Sequence, residues 1–410
     1  MTQLKVLIIG FVWPEPTSTA AGQRMLELIQ FFLKQNYIVS FACTAKKTKY
    51  SFPLDTLGVF EKEIVLNNSN FDSYLNEIKP NIVMFDRFLT EEQFGWRVAE
   101  NVPNALRILD TEDLHSLRQT RELAFKKDLP FLIADWKKNA TTKREIASIY
   151  RSDISLLISP YEMRLLKENI KIEDSLIHYL PFLLEKTRYE PIPYTQRKGF
   201  ICIGNGNHAP NKDAIIWLKK EIWPLIRKQL PEATLSIYGG HLPEQIMQMH
   251  NPKEGFLVKG WAPNAIEAVS KAKICLAPLR FGAGIKGKLV TAIQAETPSI
   301  TTQIGAEGIQ LPSFKWNGII KEDAVALANA AVELYRSEKE WYIAQKNGKK
   351  LLQQIFNKEK FENHFLKAIT NTLENLKEHR ERNFIGAMLQ HNSMASTKYM
   401  SKWIEAKNRM

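Results

Sequence analysis

The sequence predicts an α/β protein built from two doubly wound, Rossmann-like domains and a helical tail. Three observations carry that prediction. Short apolar runs alternate with longer helical patterns along most of the 410 residues. A proline-bearing charged segment, Lys186 to Lys198, interrupts the alternation as a linker does. From about Lys321 the pattern becomes almost wholly helical. At roughly 150 residues per domain the length itself asks for two or three domains.

The elements follow in order. Lys5 to Ile9 reads as a strand buried on both faces, as in a parallel sheet. After a loop rich in Pro, Thr, Ser and Gly, the residues Met25, Leu28, Ile29, Phe32 and Leu33 recur at helical spacing. Tyr37 to Phe41 is the second strand. Further strands are expected at Ile64–Leu66, Ile82–Phe85, Leu106–Leu109, Ile154–Ile158 and Leu176–Leu180. Beyond the linker a second series begins, with strands at Gly199–Ile203, Thr234–Tyr238, Phe256–Val258, Ile274–Ala277 and Ser299–Thr301 and a clear helix from Lys212 to Gln229. The boundaries expected are 1–185, 198–370 and a tail, 371–410, that returns to the first domain. Within that tail Met400, Trp403 and Ile404 share a helical face suited to docking.

Composition narrows the class. With 44% hydrophobic and 24% charged residues the chain is an ordinary globular protein, and no apolar run reaches the length of a membrane span. The run Val6 to Trp13 is too short for a secretory signal core. Three cysteines, Cys43, Cys202 and Cys275, lie far apart and encode neither a disulfide framework nor a zinc site, which suits a reducing cytoplasm. A formal net charge of +12 points to a phosphorylated small molecule or an anionic membrane surface, or to a merely solvated lysine-rich face. Nucleic acid is disfavoured by the lack of any recognisable binding signature. From Arg118 to Arg151 nine Lys/Arg face four acids with Phe131, Leu132, Ile133 and Trp136 interleaved, a pattern that fits either a membrane-surface helix or a helix packed on its own domain.

Ligands of open α/β sheets bind at the carboxyl ends of strands. The loop after Ile274–Ala277 carries Arg280, Gly282, Gly284, Gly287, Lys286 and Lys288 ahead of a helix. Its glycines admit close approach of backbone amides, and its cations and helix dipole suit a phosphate or diphosphate. The alternative is a turn whose glycines serve only backbone geometry. A second loop, Gly204 to Lys212, has Ala209 where a dinucleotide fingerprint needs its third glycine. It is either a ligand-facing loop carrying Asn205 and Lys212 or an ordinary turn capped by Asn211. In the first half, the small-residue loop ending in Gly22 and Arg24 admits a substrate or is a plain turn. Asp110 to Arg118 sets Asp113 beside His115, for sugar hydroxyls or acid/base work, or for helix capping. No histidine spacing favours a metal site.

The run Ala277 to Lys288, followed by Thr297-Pro298-Ser299 and Ile304 to Gly308, resembles the donor site of family 4-type glycosyltransferases, and Phe200 to Trp217 resembles the start of their C-terminal domain. The likeness is specific over residues 200–310 and extends to the whole chain in layout. It implies a GT-B architecture, a nucleoside-diphosphate sugar as donor rather than a bound cofactor, a glycan or glycolipid acceptor, transfer with retention, and no metal. On this reading Lys286, Lys288 and Arg280 neutralise diphosphate, and Gly282 and Gly284 donate amides. Gly204, Asn205 and Lys212 complete the donor side, with Thr291 and Glu307 orienting sugar or ribose hydroxyls. His115, Asp113 and Lys286 are the expected catalytic set, and Gly22 and Arg24 face the acceptor. The sequence departs from the family where two glutamates usually stand eight positions apart, since these positions are Ala283 and Thr291, and Glu296 replaces a customary glycine. A non-catalytic nucleotide-sugar-binding scaffold is the other reading those departures leave open. A nucleotide-sugar epimerase would need more acid/base groups than the sequence offers.

Overall fold

A computed structural model of the protein describes residues 3–185 and 190–409, so 186–189 of the expected linker lie outside the described residues. The first sheet comprises β1 (Lys5–Gly10), β2 (Ile38–Cys43), β3 (Phe60–Glu63), β4 (Ile82–Asp86), β5 (Leu106–Asp110), β6 (Ile154–Leu157) and β7 (Ile177–Tyr179), in the order β3-β2-β1-β4-β5-β6-β7. The second comprises β8 (Phe200–Ile203), β9 (Leu235–Tyr238), β10 (Phe256–Gly260), β11 (Ile274–Ala277), β12 (Ser299–Thr301) and β13 (Gly318–Ile320), in the order β10-β9-β8-β11-β12-β13. Every strand pairing is parallel. Strand order reverses between β1 and β4 and again between β8 and β11, so each sheet opens a crevice at its carboxyl edge there.

The continuous apolar run of β1 serves both faces of its sheet. Val6 and Ile8 enter one core with Met25, Leu28, Ile29 and Phe32 of the helix Ala20–Lys34, while Leu7 and Ile9 enter the opposite core with Val83 and Phe85. That helix starts where Thr19 accepts the amide of Gly22, satisfying one of its free donors. The helix foreseen from Lys212 begins earlier, at Ala209, and runs to Gln229 through a π-helical turn at Leu218–Ile222.

Three expectations are corrected. The third strand is Phe60–Glu63 and not Ile64–Leu66, because a charged FEKE edge pairs Ser40 to Cys43 while Val65 and Leu66 stay exposed. β13, only three residues long, stands where the sequence pattern suggests only the run into the tail. The return to the first domain begins before residue 371, since Phe361, Phe365 and Ile369 of the helix Lys358–Glu374 already sit in the first-domain core.

The last helix, Phe384–Asn408, lies on the helices Arg87–Asn101 and Ala140–Arg151. Its docking face differs from the expected one: Met400 and Trp403 are 59% and 60% exposed, with only Ile404 half-buried. Contact is made instead by Met394, Ser401 and Glu405. The buried Arg97 is hydrogen-bonded to Asp72 of its own domain, and the tail adds Ser401 Oγ at 3.3 Å and Glu405 at 3.6 Å, with Glu405 also accepting from Ser69. Among the described residues no helix is long and apolar enough to cross a membrane.

Candidate active site

The two carboxyl edges face one another across a cavity of about 980 Å³. Its first-domain wall comes mainly from the loops after β1, β4 and β5, with residues after β2, β6 and β7, and its second-domain wall from the loops after β8, β9, β10 and β11.

On the second-domain wall the β11 loop leads into the helix Gly287–Gln294, whose N-cap is Lys286 and which no side chain caps. The glycines are required by the neighbouring domain. A Cβ on Gly284, at φ 63°, would stand 2.7 Å from Asp113 Cβ, and one on Gly287 would stand 2.4 Å from Ala20 Cβ. Lys286 is 7% exposed, donates to the Gly284 carbonyl at 2.8 Å and lies 4.0 Å from Glu307. Burial brings its amine down to about 8. Lys288 donates to Asn211 Oδ1 at 2.6 Å, and burial lowers its amine too. Asn211 therefore does not cap its helix; it holds Lys288 and donates to the Asn205 carbonyl. Gly204, Asn205, Gly282 and Thr291 also line the cavity, Thr291 with its hydroxyl on the Gly287 carbonyl at 3.0 Å.

On the first-domain wall Asp113, His115 and Gly22 line the cavity with Arg118. Burial pushes the Asp113 carboxyl up, but Arg118, which hydrogen-bonds it, and His115, 3.5 Å away, hold it well below the usual carboxylate range. Burial pulls the His115 imidazole down to about 4, so the ring is neutral at neutral pH. A neutral imidazole beside an ionised, arginine-bound carboxylate is equipped to hydrogen-bond sugar hydroxyls rather than to carry a proton near pH 7. The helix that bears His115 is capped from a distance, as Glu145 accepts the amides of His115 and Ser116.

Five expected site residues do not line the cavity. Arg280 is bound bidentately to Asp213 and stacks between Phe125 and Trp217, at 4.5 and 4.9 Å from the ring centres, so its charge is already satisfied. Lys212 lies outside the lining, on the helix that starts at Ala209. The Gly284 amide is taken by Glu162 Oε1 at 2.8 Å and is not free for a ligand. Glu307 is clamped by Arg121 at 2.7 and 2.8 Å. Arg24 is 1% exposed, bonded through Nε and Nη2 to Asp110 and through Nη1 to the Leu180 carbonyl, and ties the first sheet together instead of meeting a substrate.

Two of these pairs join the domains. Arg121, from the first domain, also donates to the Gly282 carbonyl at 2.8 Å, and Glu162 bridges the amides of Leu114 and Gly284. Glu15–His241, Asn205 to the Ser18 carbonyl and Trp261 to the Thr17 carbonyl add contacts across the cleft. Glu112, one of the clustered carboxylates that the sequence reading assigns to sugar hydroxyls or acid/base work, lines the cavity as well. The lining further includes Asp86, Arg87, His208, Trp261 to Ile266 and Gln294, to none of which the sequence reading assigns a role. The rule that strand carboxyl ends carry function would have found the first two and the β10 loop. Among the described residues no group of three or more His, Cys, Asp or Glu side chains is arranged to hold a metal ion.

Comparison with known proteins adds independent findings. Residues 197–337 match the family model for glycosyl transferases group 1. A mutant of S. aureus TarM, solved with fondaparinux, alpha-GlcNAc-glycerol and UDP, superposes with a TM-score of 0.67 at 10% identity over 89% of this chain and 99% of that one. Anabaena Alr3699/HepE with UDP-glucose gives 0.66 at 10% identity, covering 90% and 100% of the two chains. The pneumococcal O-GlcNAc transferase GtfA with UDP and GlcNAc gives 0.64 at 13%, covering 91% and 100%. At these identities the likeness is one of fold. No curated protein sequence matches the chain.

Proposed function

We propose that the chain is a group 1 glycosyltransferase of GT-B architecture and that it transfers a sugar from a uridine-diphosphate sugar to a glycan or glycolipid acceptor. One observation carries the donor assignment: the buried Lys286, the half-buried Lys288 and an uncapped helix N-terminus converge on one wall of the cavity. Burial disfavours both ammonium groups, and a bound diphosphate repays that cost. As the bond from the sugar to the diphosphate breaks, negative charge grows on the leaving oxygen beside these groups, where it is stabilised more than in the ground state. Retention, and transfer without a metal, follow from the family resemblance. The choice of uridine follows the neighbours solved with UDP or UDP-glucose.

His115 and Asp113, opposite, are assigned to the transferred sugar or the acceptor, and Gly22 to the acceptor side. Thr291 supplies a neutral hydroxyl toward the nucleotide where relatives use a carboxylate. A cytoplasmic enzyme lying on an anionic membrane face is part of the proposal. Trp136 of the basic stretch is buried in its own domain, but Leu123, Leu129 and Leu132 are exposed alongside Lys126, Lys127, Lys137 and Lys138. Flotation with anionic vesicles, weakened by high salt, tests that surface.

The donor test is a thermal-shift series with UDP, GDP, ADP and dTDP and their sugar conjugates. A ligand at 100 times its Kd adds about 2.7 kcal/mol, so a UDP-selective rise that Lys286→Ala abolishes is expected. A rise selective for another base overturns the uridine assignment. An equal rise in the variant overturns the diphosphate site, and binding without turnover supports the scaffold reading.

A further inference from the structure

Among the ionisable groups of the cavity wall that the mechanism leaves unused, Glu112 stands out. Glu112 follows β5 in the left-handed region, at φ 60°, and lines the cavity. Its Oε1 is buried without a hydrogen-bond partner. The charged groups that face it are Asp110 and Arg24 behind it and Asp86 and Arg87 at the end of β4. Arg24 is bound by Asp110, while Arg87 makes a 3.5 Å ion pair with Asp86 and keeps its Nε buried without a hydrogen-bond partner. Three carboxyl groups therefore share two guanidiniums, and Glu112, which Arg87 reaches only through its field, forms an ion pair with neither.

We propose that Glu112 positions the acceptor, its carboxyl group hydrogen-bonding a hydroxyl of an uncharged sugar at the first-domain wall. The inference rests on the glycosyltransferase reading above. Burial, with Asp110 next in effect, raises this carboxyl to about 8, so at neutral pH it carries its proton and offers both an O–H donor and a carbonyl acceptor. That pair matches a sugar hydroxyl, which is itself donor and acceptor. It does not match a cation, which would favour the ionised carboxylate. A left-handed backbone at a non-glycine residue is strained and persists where the surrounding structure holds it, here at a residue that lines the cleft.

The test is saturation-transfer NMR on the full chain with UDP, using glucose, galactose and N-acetylglucosamine and their octyl glycosides as probes. Wild type is expected to bind at least one of them, with affinity falling as pH rises through 8. Glu112→Gln keeps a neutral donor and acceptor, so it is expected to bind with no fall between pH 7 and 9. Glu112→Ala is expected to lose tenfold or more at pH 7 while its UDP-induced thermal shift stays equal to that of wild type. Unchanged sugar binding in Glu112→Ala, a pH dependence that persists in Glu112→Gln, or no sugar binding by wild type overturns the proposal. Loss of the UDP shift in wild type itself would instead strike the donor reading, and sugar binding measured without UDP then decides the role of Glu112.

Discussion

Replacing Lys286 by methionine separates what this residue does for the fold from what it does for a donor. The side chain is 7% exposed, and its amine falls from 10.5 to about 8 because burial disfavours the ammonium form. At about 1.4 kcal/mol per pH unit, carrying the charge at neutral pH costs the folded state about 3 kcal/mol. Methionine keeps the length and removes the charge. Glu307, 4.0 Å from the amine, retains its two bonds to Arg121, and its attraction to Lys286 is already contained in the shift; what methionine leaves unpaired is the Gly284 carbonyl. Allowing about 1 kcal/mol for that lost hydrogen bond, Lys286→Met should be stabler than wild type by about 2 kcal/mol, or roughly 4–8 °C in the unfolding of its domain.

The sign can be checked against pH. Below pH 8 the lysine is protonated in both the folded and the unfolded chain, and the full cost is present. Between 8 and 10.5 the unfolded chain holds more protons, so wild type gains on the variant and the difference closes. Turnover should move the other way, falling 10²–10³-fold as one charged donor to the leaving oxygen disappears. Calorimetry from pH 7 to 10 with and without UDP, run beside a turnover assay, reads all three effects. A variant less stable than wild type at pH 7, or one with the wild-type UDP shift, refutes the reasoning.

Three further outcomes are expected. Arg121→Ala removes the clamp on Glu307 and the bond to the Gly282 carbonyl, and two-domain closure should cost kcat/KM 10–100-fold, the value of one or two charge-assisted bonds; small-angle scattering should report a more open chain, and an unchanged profile with unchanged kinetics counts against the clamp. Asp110→Ala leaves Arg24 buried without its carboxylate, and chemical denaturation should give a loss of about 3–5 kcal/mol. His115, held neutral down to about 4, must gain a proton on unfolding below 6.5, so stability should fall on acidification through that window, and His115→Gln should reduce the slope by about one proton.

Lys286 and Lys288 were legible because their signal is local: glycines, cations and a helix start within one short segment after a strand. Arg280 and Glu307 belong to the same neighbourhood in sequence, yet their charges are used up by Asp213 and Arg121, partners 67 and 186 residues away. The tail misled for a related reason. Its apolar side chains suggested docking, but the first domain presents polar groups there, Ser69 and the Asp72-bound Arg97, and these meet Ser401 and Glu405 while Trp403 stays in solvent.

What the sequence determined by itself was the succession of strands and helices, the two-sheet architecture and the loops at the carboxyl edges, because hydrophobic periodicity and glycine geometry act over a few residues at a time. Only the tertiary structure decided which of the charged residues remain free to meet a ligand. A charge is neutralised by whatever the fold brings within a few ångströms, and Arg24, Arg280 and Glu307 found partners while Lys286, Lys288 and Glu112 were left facing the cavity.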